Sequence, residues 1–170
     1  MKKRAALTNF SRIGLMMFFI ISFIACDKSV PGNDDLGPFN INVTLLPVDL
    51  KTGGGLEQGF IKFRQDPDTN RIITLDTYVA NLKPNHDYLL QRAVNPITDA
   101  DCTSTAWLTL GKGLVAQSIH TDGRGDGHEL LFRDITSIAR GTTFRIHFQI
   151  IDAVTMDPVL NSDCDQYTVR

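Results

Sequence analysis

The chain has 170 residues, and its 17 Lys and Arg residues against 19 Asp and Glu give a formal net charge of −2. This length fits one domain that can bury a sizeable core. The sequence contains no basic run or stripe, which excludes the usual electrostatic footprint of a nucleic-acid-binding protein.

The first 25 residues have the pattern of a secretory signal peptide. Four basic residues, Lys2, Lys3, Arg4 and Arg12, precede an uncharged apolar run of 12 residues at 13–24. A membrane-spanning helix needs about 20 apolar residues, whereas a short apolar core behind a basic start is typical of a cleaved signal helix. We therefore expect residues 1–25 to be removed on export.

The end of this segment resembles the lipobox of bacterial lipoproteins. Ala25 directly precedes Cys26, although Phe23 stands where that family usually has Leu. The resemblance implies that Cys26 receives a diacylglyceryl group, becomes the new N-terminus and is acylated. The alternatives are an ordinary signal peptide cut nearby or a retained N-terminal anchor helix. Because several acyl chains hold a protein firmly on a bilayer, the lipid bilayer is the first expected partner.

Residues 26–38 comprise the lipidated Cys26 and a polar stretch with Pro, Gly and acidic residues, which is typical of a flexible tether. The expected location is the outer membrane, on its periplasmic or surface face. Asp27 directly after the cysteine leaves the inner membrane as an alternative, because this residue retains lipoproteins there in some bacteria.

Residues 39–170 alternate between period-2 apolar patterns and turn residues, which indicates strands. The clearest strand covers residues 142–152, with Phe144, Ile146, Phe148 and Ile150 on one face, and we expect it to be central. The fold class is therefore all-β: a single antiparallel β-sandwich or Greek-key barrel of about eight strands. The predicted strands are 39–45, 59–64, 71–80, 88–94, 106–110, 114–121, 129–135, 142–152 and 165–170, and residues 136–141 are expected to form one helical turn.

Two cysteines, Cys102 and Cys164, remain when Cys26 is assigned to lipid. An exported domain lies in a compartment where disulfides persist, so these two are expected to pair. The alternative is two free thiols.

Oxygen and imidazole groups are dense between His120 and Glu129, as a metal site requires. The segment only partly fits a calcium loop, because Arg124 and Arg133 stand at ligand positions. The alternative is a hairpin turn, since Asp-Gly and closely spaced glycines supply positive φ. The candidate metal ligands, for Zn, Cu or Ca, are His120, Asp122, Asp126, His128 and His147.

The order of features is similar to the copper–zinc superoxide dismutase sandwich. The similar pieces are residues 59–63, 81–88, 102–104, 141–147 and a cysteine near the C-terminus. The resemblance implies a Cys102–Cys164 disulfide and places His147 at a copper-ligand position. However, Leu89 and Gln91 stand where that family has a His-x-His pair, so dismutase activity is not expected, since copper redox chemistry needs several imidazoles.

Residues 82–88 are also similar to the tyrosine corner of fibronectin type III domains, which implies a structural role for Tyr88. Trp107 is expected to pack against the domain, with an exposed binding patch as the alternative. The sequence contains no nucleophile elbow, phosphate loop or zinc-protease helix. We therefore predict a non-catalytic binding or structural lipoprotein without a cofactor, whose partner is an unidentified protein or small molecule. The alternative is a metal-dependent protein that uses the 120–128 loop with His147.

Overall fold

The computed structural model describes residues 40–48, 58–66 and 70–170. The predicted signal peptide, Cys26 and the tether therefore lie outside the described residues. Within the described ranges all regular structure is β, and nothing helical there is long and apolar enough to cross a membrane. The strands are β1 (Asn40–Pro47), β2 (Gly59–Gln65), β3 (Ile72–Val79), β4 (Asp87–Asn95), β5 (Leu108–Thr109), β6 (Gly111–Lys112), β7 (Val115–Ala116), β8 (Ser118–His120), β9 (Gly127–Asp134), β10 (Thr143–Asp152), β11 (Pro158–Asn161) and β12 (Asp165–Thr168).

The strands form two halves that are joined along both sides. Strands β1, β2, β3 and β9 pair antiparallel in one half, while β10 pairs with β4, β11 and β12 in the other. Strand β11 also pairs with β1, and the short stretch β5–β6 runs from β4 to a parallel bridge with β9. The result is a nearly closed, barrel-like sheet, and the prediction of an all-β Greek-key or sandwich architecture is confirmed.

The core forms because alternate residues of the long strands point inward. On β10, Ile146, Phe148 and Ile150 are buried, as the alternation predicts. Phe63 of β2 packs edge-on against Tyr167 of β12 at 4.7 Å between ring centroids, which joins the two halves. Burial of each such side chain contributes about 1.5–3 kcal/mol. The buried Tyr167 hydroxyl donates a hydrogen bond to the Gln65 side-chain oxygen, so its polar atom is satisfied.

Cys102 and Cys164 form a disulfide across 62 residues of chain, with their Cα atoms 5.6 Å apart. The bridge ties the loop before β5 to the segment before β12. The predicted pairing of these two cysteines is confirmed by this geometry.

Three details differ from the predicted strands. Strand β11 was not predicted, because it is short and begins at Pro158, which cannot donate to a sheet ladder but is tolerated at a strand's first residue. Residues 114–121 form two short strands, because β7 pairs with β6 whereas β8 pairs with β4 on the other side of the barrel-like sheet. The predicted helical turn at 136–141 is instead a pair of tight turns, closed by Ile138 N to Ile135 O and Thr142 N to Ala139 O.

The register defines two ends of the β1–β2–β3–β9 half. One row of paired residues starts at the first described residue and crosses five strands: Asn40, Arg64, Thr74, Phe132 and Lys112. We call this the tether end, because the predicted tether, residues 26–38, precedes it in the chain. The row at the opposite end is Leu45, Gly59, Val79 and Gly127.

Candidate functional site

A groove of about 610 Å³ lies at the end of the sheet opposite the tether end. Its floor is formed by the first outward-facing side chain of β2, Phe60, and the last of β3, Tyr78, and the loop between β8 and β9 forms its rim. Aromatic, imidazole and carboxylate groups therefore face one space. The lining residues are Gln58, Gly59, Phe60, Tyr78, Val79, Ala80, His120, Asp122, Asp126, Gly127 and His128.

Three rings from three neighbouring strands stack against one another on this face. Phe60 and Tyr78 are directly paired in the sheet, with ring centroids 4.5 Å apart and an angle of 18° between planes. Tyr78 and His128 are the next pair, at 4.2 Å and 18°. We call these three residues the aromatic stack. The Lys62 ammonium lies 5.3 Å from the Tyr78 ring centroid, within cation–π range.

Asp76 fixes the aromatic stack in place. Its carboxylate accepts hydrogen bonds from the Tyr78 hydroxyl at 3.1 Å and from His128 Nε2 at 2.6 Å. Burial of the hydroxyl and the Asp76 charge both raise the pKa of Tyr78, so this phenol remains protonated and can donate. The rings are therefore held in a defined orientation before any ligand arrives.

The rim of the groove is a hydrogen-bonded turn centred on Asp122. One oxygen of its carboxylate accepts from Arg124 N at 2.7 Å and from Asp126 N at 3.1 Å, and these backbone donors lower the pKa of Asp122. Gly125 has φ +87° and packs on the backbone of Leu82, whose N–H donates to Gly125 O at 3.1 Å. One oxygen of the Asp122 carboxylate, Oδ1, is therefore used to hold the turn, an arrangement that matches the hairpin-turn alternative for this segment.

The other two imidazoles at this end also pair with single carboxylates. His120 Nδ1 lies 2.9 Å from Asp87 Oδ1, and His86 Nε2 lies 2.8 Å from Asp152 Oδ2. The pKa of Asp152 is lowered, mainly by the N–H groups of residues 154 and 155 and further by His86. Each pair links two segments that are distant in sequence.

Tyr88 is the second residue of β4, next to this cluster, and its hydroxyl accepts a hydrogen bond from Lys83 N at 3.0 Å. The phenol thus ties down the turn five residues upstream, as expected of a tyrosine corner. Burial is the main cause of its raised pKa. The interpretation of Tyr88 as a structural residue agrees with these contacts.

His147 lies in the other half of the barrel, on β10. It stacks on Trp107 at 4.7 Å between centroids, and its Nε2 lies 3.2 Å from Ser104 O. Burial lowers the pKa of His147 and favours the neutral ring. Trp107 is half-buried, with its ring stacked on this histidine of β10.

The predicted metal ligands consequently fall into separate places. His120, Asp122, Asp126 and His128 line the groove, whereas His147 is elsewhere. In the part of the chain that the structure describes, no group of three or more His, Cys, Asp or Glu side chains is placed to hold a metal ion. The imidazoles that face the groove are instead hydrogen-bonded to Asp76 and Asp87.

No protein-family model matches the chain, and no curated protein matches it. Among solved structures, a double mutant of a SOD-like protein from Bacillus subtilis is similar to this chain at 11% sequence identity and a TM-score of 0.46. The match covers 74% of this chain and 97% of that one. The class that the strands and their pairing define is an all-β, disulfide-linked, barrel-like domain.

The sequence pattern alone did not identify the residues that form the floor of the groove. The sequence predicts strands at Phe60, Tyr78 and Asp76 and indicates no functional role for them. Their period-2 positions show that they face outward, but only the register between strands brings them beside His128.

Proposed function

We propose that this protein is a lipid-anchored, non-catalytic binding module whose ligand site is the groove at the aromatic stack. The proposal rests on one observation above all: an open space of about 610 Å³ is bordered by a pre-arranged set of rings and carboxylates. Ligand sites of proteins are concave, largely apolar and few, with a small number of polar groups that fix orientation. The lipobox-like ending at Cys26 supports display of this groove from a bacterial membrane.

The lining groups indicate the chemistry of the ligand. The rings of Phe60 and Tyr78 offer an apolar wall, on which a flat or weakly polar face can pack. The carboxylates of Asp122 and Asp126 offer acceptors at the rim. We therefore infer a ligand that presents hydrogen-bond donors beside an apolar face, such as an oligosaccharide or a peptide segment.

A comparison of two phenylalanines tests the site. Phe60 belongs to the aromatic stack, whereas Phe132 is an outward-facing Phe of the same sheet at the tether end. Mature protein is used to probe an array of oligosaccharides and peptides, and the affinity for each hit is then measured for F60A and F132A. Removing a ring from a stacked wall costs about 1.5 kcal/mol, which corresponds to roughly a tenfold loss of affinity. We expect F60A to lose roughly that factor and F132A to bind as the parent does.

Equal affinities of the parent and F60A for a ligand would show that this ligand binds outside the groove. The non-catalytic part of the proposal has its own test, which is turnover on a panel of hydrolase and redox substrates. Robust turnover by purified protein would overturn it, because the groove would then do more than bind.

A further inference from the structure

The outward face of the tether end carries exposed apolar side chains on neighbouring strands. We call this set the apolar patch. Its two most exposed residues, Leu114 and Val115, sit on the β6–β7 hairpin and are 83% and 73% exposed. Exposed clusters of this kind mark surfaces that contact another molecule or a membrane. The apolar patch consists of Ile72, Leu114, Val115, Leu130 and Phe132.

The apolar patch has a shaped and supported surface. A shallow depression of about 400 Å³ is lined by Ile72, Thr74, Lys112, Leu130 and Phe132. The hairpin tip is fastened to β9, since Gly113 N donates to Phe132 O at 3.0 Å and Arg133 Nη1 donates to Gly113 O at 3.2 Å. These two hydrogen bonds to β9 fix the position of the hairpin, and its apolar side chains point into solvent.

The chain upstream of Asn40 ends close to this surface. Asn40 and Phe132 belong to the same row of the sheet, three strand spacings apart, which is about 14 Å. Thirteen residues separate Cys26 from Asn40, and they reach at most about 45 Å when fully extended. A lipid on Cys26 would therefore hold Asn40 within about 45 Å of the bilayer, and Phe132 of the apolar patch lies at most about 14 Å beyond Asn40.

We propose that the apolar patch rests on the surface of the bilayer that holds the acyl chains of Cys26. This inference rests on the lipid anchor of the proposed function. Tethering raises the effective concentration of the apolar patch at the membrane, so a contact too weak to recruit a free protein is populated once the chain is anchored. Apolar side chains enter the interface, and the Lys112 ammonium, which lies 2.7 Å from Glu129 Oε1, remains at the headgroup level while its stem lines the depression.

This contact sets the orientation of the groove. The groove lies at the opposite row of the sheet, five residues along β1 from Asn40, which is about 17 Å. His128 and Leu130 both face outward on β9 and are two residues apart, so the groove shares this face with the apolar patch. A domain seated on the apolar patch therefore holds the aromatic stack beside the membrane surface rather than on the far side of the domain.

Brominated phospholipids test the contact directly. Lipidated mature protein is placed in phosphatidylethanolamine–phosphatidylglycerol vesicles whose lipids carry bromine near the top of the acyl chains. The variants are L114W in the apolar patch and, as a matched control, V154W. Val154 is 76% exposed in the β10–β11 turn, close to the His86–Asp152 pair at the opposite end. Trp107, the chain's single Trp, provides the parent signal for both.

Side chains at a membrane interface lie about 5–10 Å below its surface, so we expect bromine to quench the emission added by L114W roughly twofold. The V154W emission should be unchanged. V115W is a second variant on the same hairpin and should behave as L114W does. Equal quenching of L114W and V154W would overturn the proposal. A blue shift of L114W without bromine quenching would also overturn it, because it would mean that a second copy of the chain covers the apolar patch.

The anchor is checked separately in the same preparation by intact mass. If the mass shows no lipid on Cys26, the lipid anchor of the proposed function is wrong. If the chain is lipidated but the L114W emission is not quenched, only the proposed membrane contact is wrong.

Discussion

Gly125 should be the least replaceable residue of the groove rim. It has φ +87°, in the left-handed region that favours glycine, and a Cβ added there would lie 2.0 Å from Leu82 O and 2.9 Å from Leu82 C. Both contacts are with backbone, so neither partner can rotate away. Gly123, two residues earlier in the same turn, has nothing within 4 Å of an added Cβ and supplies the matched control.

The cost of Gly125→Ala has two parts. A non-glycine residue in the left-handed region costs about 1–2 kcal/mol. The turn must also move away from Leu82, which breaks the Leu82 N to Gly125 O hydrogen bond, worth about 1 kcal/mol. We therefore expect G125A to lower the free energy of unfolding by about 2–3 kcal/mol, whereas G123A should stay within about 0.5 kcal/mol of the parent.

Urea denaturation of the purified mature protein measures both variants, with fluorescence of the single Trp and far-ultraviolet circular dichroism as independent signals. The slope of the transition should not change, because the same surface is exposed on unfolding. Equal midpoints for G125A and G123A would refute the packing of this turn on Leu82, and with it the shape of the groove.

Three further predictions concern the rest of the domain. Replacing both Cys102 and Cys164 with Ser should lower the free energy of unfolding by about 4 kcal/mol, because the bridge closes a loop of 62 residues; an unchanged urea midpoint would contradict this. Burial, with the nearby Asp163 charge, raises the pKa of Asp165 to about 6 from its ordinary 3.8. A raised carboxyl pKa favours the folded state below pH 4 and costs stability as the pH rises through 6, so Asp165→Asn should stabilise by up to about 3 kcal/mol at pH 7.5 and by nothing at pH 3.5; equal gains at both pH values in urea titrations would show another cause. Elemental analysis after metal loading and desalting should find substoichiometric Zn, Cu and Ca, since the groove imidazoles are already paired with Asp76 and Asp87; one equivalent of any of them would revive the metal-dependent alternative.

The strands with a clean alternation were predictable from sequence, and the short ones were not. Strands β2 and β3 each bury every second residue over seven positions, so period 2 alone identifies them. Strand β10 buries four consecutive residues at 148–151, and its length of ten residues with alternating large apolar side chains identifies it instead. Strand β11 has four residues and begins with a proline, and such a short segment carries too little pattern to be recognised. The tight turns at 136–141 escaped prediction because their hydrogen bonds are local and any polar sequence of that length can form them.

The groove could not be predicted from the residue pattern of any single strand. Phe60, Tyr78 and His128 are far apart in sequence and become neighbours only through the register of three strands. The metal hypothesis grouped His120 with His128 because they are close in sequence. The fold gives them different partners, since β8 pairs with β4 and presents His120 to Asp87, while β9 pairs with β3 and presents His128 to Asp76.

The disulfide could be predicted because the chain has three cysteines, and assigning Cys26 to lipid leaves only Cys102 and Cys164 to pair. That assignment also supports the oxidising compartment, the tether and the orientation of the apolar patch at the membrane.

Intact mass spectrometry of the protein extracted from membranes is the most direct test of the lipid-anchored binding module. We expect a chain that begins at Cys26 and carries a diacylglyceryl group with or without a further acyl chain on its amino group. A chain that retains residues 1–25, or that begins elsewhere without lipid, would contradict the anchor.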